Sequence, residues 1–189
     1  MTDDPVFHEL NAREIRALYD GDLQRQFPED EVRPWESIEP LLQRGCYRAC
    51  ALERDGVIVS YAFFAKAGRS VLVDYLATPD PWKNRGYGSL LLKRLRSLLT
   101  EADRFFIESE DPDVLSGDAA VMARRRLAFY ERNGFAQTSV RVLLFHVEYR
   151  ILSSESGDRR DVNARSGIEE LYTMIIPAKW RERILRFHD

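Results

Sequence analysis

The chain has 189 residues, of which 44% are hydrophobic and 31% are charged, a composition that suits a globular protein with its own core. The formal net charge is −3, from 28 basic and 31 acidic side chains, so the composition argues against a dedicated nucleic-acid binder. The apolar stretches are too short to cross a bilayer, and the N-terminus lacks the apolar core of a signal peptide. We therefore expect a cytoplasmic protein with one domain over residues 1–189 and with no membrane or nucleic-acid partner.

Residues that commonly bind metals are few and scattered. Cys46 and Cys50 are the two cysteines, and no histidine lies near them at the spacing of a zinc site. His8, His146 and His188 are far apart in the sequence. The sequence therefore predicts no metal centre.

In chain order, the first predicted element is a helix from Glu9 to Tyr19, in which apolar residues recur at helical spacing. A second helix is predicted from about Glu36 to Gln43, ending at Gly45. The segment between these helices contains two prolines, which break regular structure.

Three runs rich in β-branched and aromatic residues follow, at Tyr47–Leu52, Val57–Ala65 and Val71–Thr78. Asp55-Gly56 separates the first two runs, and this dipeptide is a strong hairpin signal. The three runs therefore predict an antiparallel meander.

A glycine-rich loop, Lys83-Asn84-Arg85-Gly86-Tyr87-Gly88, lies between the last of these strands and a helix that begins at about Gly88. The free N–H groups and the dipole of a helix start attract anions, and glycine lets a ligand approach the backbone closely. Lys83, Arg85 and the Ser89 hydroxyl could add hydrogen bonds to a pyrophosphate. A Gly-x-Gly pair is not specific on its own, and helix packing explains many such pairs.

The loop matches neither of the two common nucleotide-binding patterns. No Gly-Lys-Ser/Thr follows it, as a Walker A loop requires. The third glycine of a dinucleotide-binding fingerprint is missing, and the strand before the loop belongs to an antiparallel meander.

The remainder of the chain is predicted to alternate between strands and helices. The predicted elements are a strand at Phe105–Ser109, a helix from about Asp118 to Arg132, a strand at Val140–Tyr149, a loop over 153–166, a strand at Leu171–Ile176 and a short helix after Pro177. Strands and helices thus alternate around one sheet, which is typical of a mixed α/β fold.

Two motifs in this order resemble those of the GNAT superfamily of acetyl-CoA-dependent N-acetyltransferases. The run from Leu76 to Leu91 resembles the central motif, Gln/Arg-x-x-Gly-x-Gly/Ala, which lies between the fourth strand and a long helix. Phe129-Tyr130-Glu131-Arg132-Asn133-Gly134-Phe135 resembles the second motif, a helix that ends in Phe-Tyr-x-x-x-Gly-Phe. The resemblance covers about 47–149 closely and the rest of the chain more loosely.

The resemblance implies a GNAT-like fold and a position for acetyl-CoA. The fold would be a mixed, mostly antiparallel sheet flanked by helices, with a splayed central strand pair and a C-terminal strand and helix at about 170–188 completing the sheet. The backbone from Leu76 through Ala77 to Thr78 would bind the pantetheine and orient the acetyl group. The pyrophosphate would lie on the amides of the following residues: Lys83, Asn84, Arg85, Gly86, Tyr87, Gly88 and Ser89.

Two residues depart from the family's pattern. Lys83 stands where the family has glutamine or arginine, which keeps a positive charge but loses bidentate geometry. Thr78 stands where the family usually has valine, which matters little if only its backbone is used.

Three side chains are candidates for the chemistry. By the resemblance, Tyr130 would lie beside the coenzyme sulfur, and a phenol stays protonated at neutral pH and can donate to a departing thiolate. Glu108 and Glu110 are two residues apart in a predicted strand, so they share a face and could draw a proton from the amine through water. The alternatives are a core position for Tyr130 and a solvated strand end for the two glutamates.

The sequence therefore predicts direct transfer of an acetyl group from acetyl-CoA to a primary amine of a small molecule or peptide, without a metal. A catalytically silent acyl-CoA-binding sensor or interaction module of the same fold is the alternative, and a plain nucleotide-binding domain is a third possibility. The apolar C-terminal segment could pair across a homodimer or cover the chain's own sheet.

Overall fold

The computed structural model describes residues 4–155, 157 and 160–188, with the side chain of Asp30 left out. Its contacts divide the chain into two compact units. The first lies within residues 1–65 and 73–100, and the second within 66–72 and 101–189.

The first unit contains the predicted meander and the glycine loop. Its strands are hydrogen-bonded in the order β1-β2-β3-β4, and β1, β2 and β3 run antiparallel. Its elements are β1 (Val6–Glu9), α1 (Ala12–Leu18), a π-helical turn (Tyr19–Leu23), α2 (Gln24–Gln26), α3 (Trp35–Gln43), β2 (Tyr47–Arg54), β3 (Val57–Ala67), β4 (Ser70–Ala77) and α4 (Tyr87–Leu98). The turn that joins β3 to β4 and the first residues of β4 are part of the second unit.

A buried ion pair joins the segment before α3 to β4. The Arg33 guanidinium donates to the Asp74 carboxylate at 2.9 Å, and the Tyr47 hydroxyl donates to the same oxygen. The exposed fractions of the two charged side chains are 7% and 4%. Because each charge is buried with its partner, removal of either one would leave an uncompensated charge in the core.

The second unit has four strands in the order β5-β7-β6-β8, and all three pairings are antiparallel. Its elements are β5 (Arg104–Glu110), α5 (Gly117–Arg132), β6 (Ala136–Leu144), β7 (Val147–Ser153), α6 (Arg160–Ile175), α7 (Ala178–Ile184) and β8 (Leu185–Phe187). Helices α5 and α6 both pack against β5.

The largest correction concerns residues 153–176. A loop was expected over 153–166 and a strand at Leu171–Ile176, but Arg160–Ile175 form α6. Residues 156, 158 and 159 of the expected loop lie outside the described part of the chain. The buried residues of α6 recur every three or four positions, as on one face of a helix: Ala164, Gly167, Ile168, Leu171, Tyr172 and Ile175. The short, mostly apolar run at Leu171–Ile176 resembles a strand only when the helical pattern of the residues before it is ignored.

Two smaller corrections involve strands. The first element of the described residues is β1, where no strand was expected. Helix α1 starts after Asn11, whose side chain forms a capping box with Glu14. The single strand predicted at Val140–Tyr149 is a hairpin of β6 and β7, because Phe145 and His146 both adopt positive φ and turn the chain. The predicted second helix, the meander and the helices after Gly86 and before Gly134 are confirmed.

The alternation of strands and helices confirms the mixed α/β class with mostly antiparallel pairing. None of the helices in the described part of the chain is long and apolar enough to span a membrane.

Candidate functional site

The glycine loop ends in an uncapped helix start. Gly86 is the N-cap of α4, with φ 82° and ψ 0°, and no side chain caps the helix. The first helical hydrogen bond runs from the Leu90 amide to the Gly86 carbonyl at 3.0 Å, so the amides of 87–89 have no acceptor within the helix. No acidic residue lies in the first turn of α4. These amides and the helix dipole therefore favour an anion in front of Gly86.

The space at Gly86 supports this interpretation. A Cβ placed on Gly86 would have no atom within 4 Å apart from its chain neighbours, and residues 83–86 are exposed. Asn84 also has positive φ, at 62°, so the loop is wound tightly before the helix begins. The backbone is thus open to a ligand as large as a pyrophosphate.

The two basic side chains of the loop are held differently. Lys83 forms an ion pair of 2.5 Å with Asp80, and both side chains are largely exposed. The Arg85 guanidinium lies over the Trp82 ring at 5.2 Å from the ring centroid. Trp82 in turn packs edge-on against Tyr87, with 6.1 Å between the ring centroids. Both charges therefore lie next to the open helix start, although Lys83 is partly neutralised.

The end of β4 leads directly into this loop. The Ser60 hydroxyl donates to the Ala77 carbonyl at 2.9 Å and lies 3.0 Å from the Thr78 hydroxyl. Because Ser60 has a single hydroxyl proton, Thr78 donates to Ser60 in this pair. Leu76 and Thr78 are partly exposed, while Ala77 is buried. The ten residues expected to bind the coenzyme therefore form one continuous segment of the first unit, from β4 to α4.

Tyr130 lies near the end of α5 in the second unit. Its ring packs edge-on against Phe129 and Phe135, with centroid distances of 5.2 and 6.2 Å. Burial raises the pKa of Tyr130 to about 12, and the nearby charge of Arg126 lowers the pKa only in part. The phenol is therefore protonated at neutral pH, as a proton donor must be.

The two glutamates of β5 have separate partners within the second unit. The Glu108 carboxylate accepts a hydrogen bond from the Tyr172 hydroxyl of α6. Glu110 forms an ion pair with Arg126 of α5 at 2.5 Å. Glu108 is partly buried and its phenol partner is fully buried, which fixes the carboxylate more tightly than a solvated strand end would.

Tyr172 was not predicted as a site residue, because the segment around it was expected to form a strand. The helical repeat that begins at Ala164 is the signal that could have revealed it. Ser60 was also overlooked, since a serine within a strand carries no sequence signal. No group of three or more potential metal-ligating side chains occurs among residues 4–155, 157 and 160–188.

Comparison with solved structures identifies the fold. A protein from Bacteroides thetaiotaomicron assigned as a GNAT-family acetyltransferase superposes with a TM-score of 0.68 and 21% identity, over 89% of this chain and 96% of that one. The ribosomal-protein-S18-alanine N-acetyltransferase of Escherichia coli has a TM-score of 0.59 and 18% identity, over 82% and 97%. A GNAT acetyltransferase from Elizabethkingia anophelis with acetyl-CoA bound has a TM-score of 0.55 and 14% identity, over 82% and 100%.

These similarities confirm the expected GNAT-like fold. No family model and no curated protein matches the sequence.

Proposed function

We propose that this chain is an N-acetyltransferase that moves an acetyl group from acetyl-CoA to a primary amine. The observation that carries the proposal is the uncapped start of α4 behind Gly86, with an open approach and two basic side chains beside it. The GNAT-like fold supports the same function, and a protein of that fold from Elizabethkingia anophelis has been solved with acetyl-CoA bound.

The chemistry of the loop suits the pyrophosphate of the coenzyme. A pyrophosphate carries negative charge, and the amides of 87–89 with Arg85 and Lys83 offer hydrogen-bond donors and positive charge. The partly exposed backbone at Leu76 and Thr78 would hold the pantetheine arm. When bound, acetyl-CoA supplies a thioester carbonyl that an amine nitrogen can attack.

The chemistry requires one proton to leave the amine and one to reach the sulfur as the carbon–sulfur bond breaks. We assign the second task to Tyr130, because its phenol is protonated at neutral pH; burial raises its pKa to about 12, which keeps the proton on the oxygen until the thiolate forms. We assign the first task to Glu108, because its carboxylate is fixed by a buried hydrogen bond. Glu110 is the less favoured base, since its carboxylate is already paired with Arg126.

The acceptor is proposed to be an amine of a small molecule or of a peptide. The Escherichia coli neighbour acts on the alanine of a ribosomal protein, so a peptide that begins with alanine is the first acceptor to test. Spermidine and free lysine represent small-molecule amines. The homodimer expected from the sequence stays a prediction.

The proposal is tested by measuring coenzyme A release by chromatography with each acceptor. We expect turnover with at least one of them and a fall in kcat of about 100-fold in Tyr130→Phe, the usual size of a general-acid contribution. The Kd for acetyl-CoA and the melting temperature serve as controls and should stay unchanged. Binding of acetyl-CoA without turnover on any acceptor would instead indicate a sensor.

A further inference from the structure

The helix that the sequence did not predict brings a phenol to the proposed base. We propose that Tyr172 of α6 is a positioning residue that orients the Glu108 carboxylate and keeps it ionised for proton transfer. The inference rests on the proposed function, because it assigns Tyr172 a role through Glu108.

The contact between the two side chains is direct and buried. The Tyr172 hydroxyl donates to Oε1 of Glu108, and none of the Tyr172 side chain is exposed. A hydrogen bond donated to a carboxylate stabilises its charged form, and such charge-assisted bonds are stronger than bonds between neutral groups. A base must be ionised before it can accept a proton, so this contact favours the state that the reaction needs.

The position of α6 is set by close packing on the strand that carries Glu108. A Cβ added to Gly167 would lie 2.7 Å from Cε2 of Phe106, so the helix lies against β5 at a distance that only glycine permits. Phe106 and Glu108 are two residues apart and share a face of β5. Tyr172 follows Gly167 by five residues in the same helix, and its ring packs against Phe187 of β8 at 5.9 Å between centroids.

Two charged side chains close to Glu108 in the sheet, Glu110 and Arg150, form ion pairs with other residues. Glu110, two residues along the strand, is bound by Arg126 of α5. Arg150 of β7 pairs with Ser109, so its side chain lies on the opposite face of the sheet from Glu108, and it is held by Asp111 and Asp113. Tyr172 of α6, by contrast, donates a hydrogen bond directly to the Glu108 carboxylate.

The first arm of the test is independent of turnover. In protein labelled with carbon-13 at the glutamate carboxyls, the Glu108 signal is titrated by NMR in the wild type, Tyr172→Phe and Thr138→Val. The Thr138 hydroxyl donates to the carbonyl of Ile151, the strand partner of Glu108, at 2.8 Å, so Thr138→Val removes a buried hydroxyl hydrogen bond without touching the carboxylate. We expect the Glu108 titration to move to higher pH in Tyr172→Phe alone.

The second arm is a double-mutant cycle in coenzyme A release, with the alanyl peptide as acceptor or with spermidine if the peptide is inert. We expect kcat to fall about tenfold in Tyr172→Phe at unchanged Kd for acetyl-CoA, as for loss of a hydrogen bond to a charged group. Tyr172→Phe combined with Glu108→Gln should be no slower than Glu108→Gln alone. A merely structural tyrosine would give additive losses.

The outcomes separate the two proposals. An unmoved Glu108 titration, or additive effects on kcat, overturns the positioning role even if the enzyme is active. A shifted titration in a protein without acetyl-CoA binding overturns the proposed function and with it any catalytic role of the pair. If Tyr172→Phe does not fold, the Cζ signal of labelled Tyr172 is compared in the wild type and Glu108→Gln, and an unmoved signal overturns the contact.

Discussion

At the residue scale, Asp80 pairs with Lys83, one of the two basic side chains of the glycine loop. Its ion pair with Lys83 is only 2.5 Å long but lies at the surface, so both side chains can rearrange. A carboxylate beside a phosphate site repels the ligand and competes for the ammonium group. Asp80 should therefore weaken the binding of acetyl-CoA.

Asp80→Asn is expected to tighten acetyl-CoA binding about threefold, and Lys83→Ala is expected to weaken it by a similar factor. Both changes in affinity should be smaller at high salt, because salt screens exposed charges. The measurement is the Kd by calorimetry at low and high ionic strength. Asp20→Asn is the matched control, because Asp20 forms an exposed ion pair with Arg16 at 2.6 Å elsewhere in the first unit. Equal Kd values for Asp80→Asn and the wild type would contradict an anion site at the loop.

At the scale of elements, α6 shows why part of the molecule was not predictable from local patterns. Residues 171–176 are apolar and partly β-branched, and such a short run does not distinguish a strand from a buried helix. The glycine at position 167 also lowers helix propensity, although it is required by the packing on Phe106. By contrast, the meander and α4 carry clear turn and helix-start signals, and they were predicted correctly.

The same glycine gives a test of the packing of α6. Gly167→Ala should lower the free energy of unfolding by about 1–3 kcal/mol, because the new methyl group would clash with the buried Phe106 ring. Helix propensity alone would raise that free energy by about 1 kcal/mol. A decrease therefore indicates the clash with Phe106, and an increase indicates that the methyl group fits. Denaturant unfolding is the measurement, with the exposed Ser166→Ala as the control on the same helix. A stabilised Gly167→Ala would contradict the close approach of α6 to β5.

Part of the candidate site could be predicted from the sequence, and the contact between Glu108 and Tyr172 could not. Gly86 carries a local signal, because a backbone with φ 82° at a helix start favours glycine. The partner of Glu108 lies 64 residues away in sequence, and no local pattern encodes such a contact. The sequence could thus indicate the loop and Glu108, but not the phenol that holds Glu108.

At the scale of the whole molecule, several buried acids keep their protons to unusually high pH. Burial raises the pKa of Cys50 and of Tyr130 to about 12, and it also raises the pKa values of Tyr47 and Tyr61. The folded protein therefore holds protons that the unfolded chain releases above pH of about 9 to 10. Stability that is present in full below that range is lost as the pH rises through the folded-state pKa values.

We therefore expect the free energy of unfolding to be flat near neutral pH and to fall steeply above pH of about 10. Each such group lowers the free energy of unfolding by about 1.4 kcal/mol per pH unit between its unfolded-state pKa and its folded-state pKa. Denaturant unfolding at a series of pH values measures the slope, and absorbance of the tyrosinate ion reports when the phenols ionise. Tyr61→Phe should flatten the slope, and ionisation of every tyrosine near pH 10 in the folded protein would contradict the burial of these groups.

Calorimetric titration with acetyl-CoA tests whether the glycine loop binds the coenzyme. It compares the wild type with Gly86→Glu and Gly56→Glu, because both glycines have positive φ, at 82° and 77°, and open space around a Cβ, but only Gly86 lies at the start of α4. We expect micromolar binding by the wild type and by Gly56→Glu, and at least about tenfold weaker binding by Gly86→Glu. No binding by the wild type, or equal binding by all three proteins, would contradict a coenzyme site at this loop.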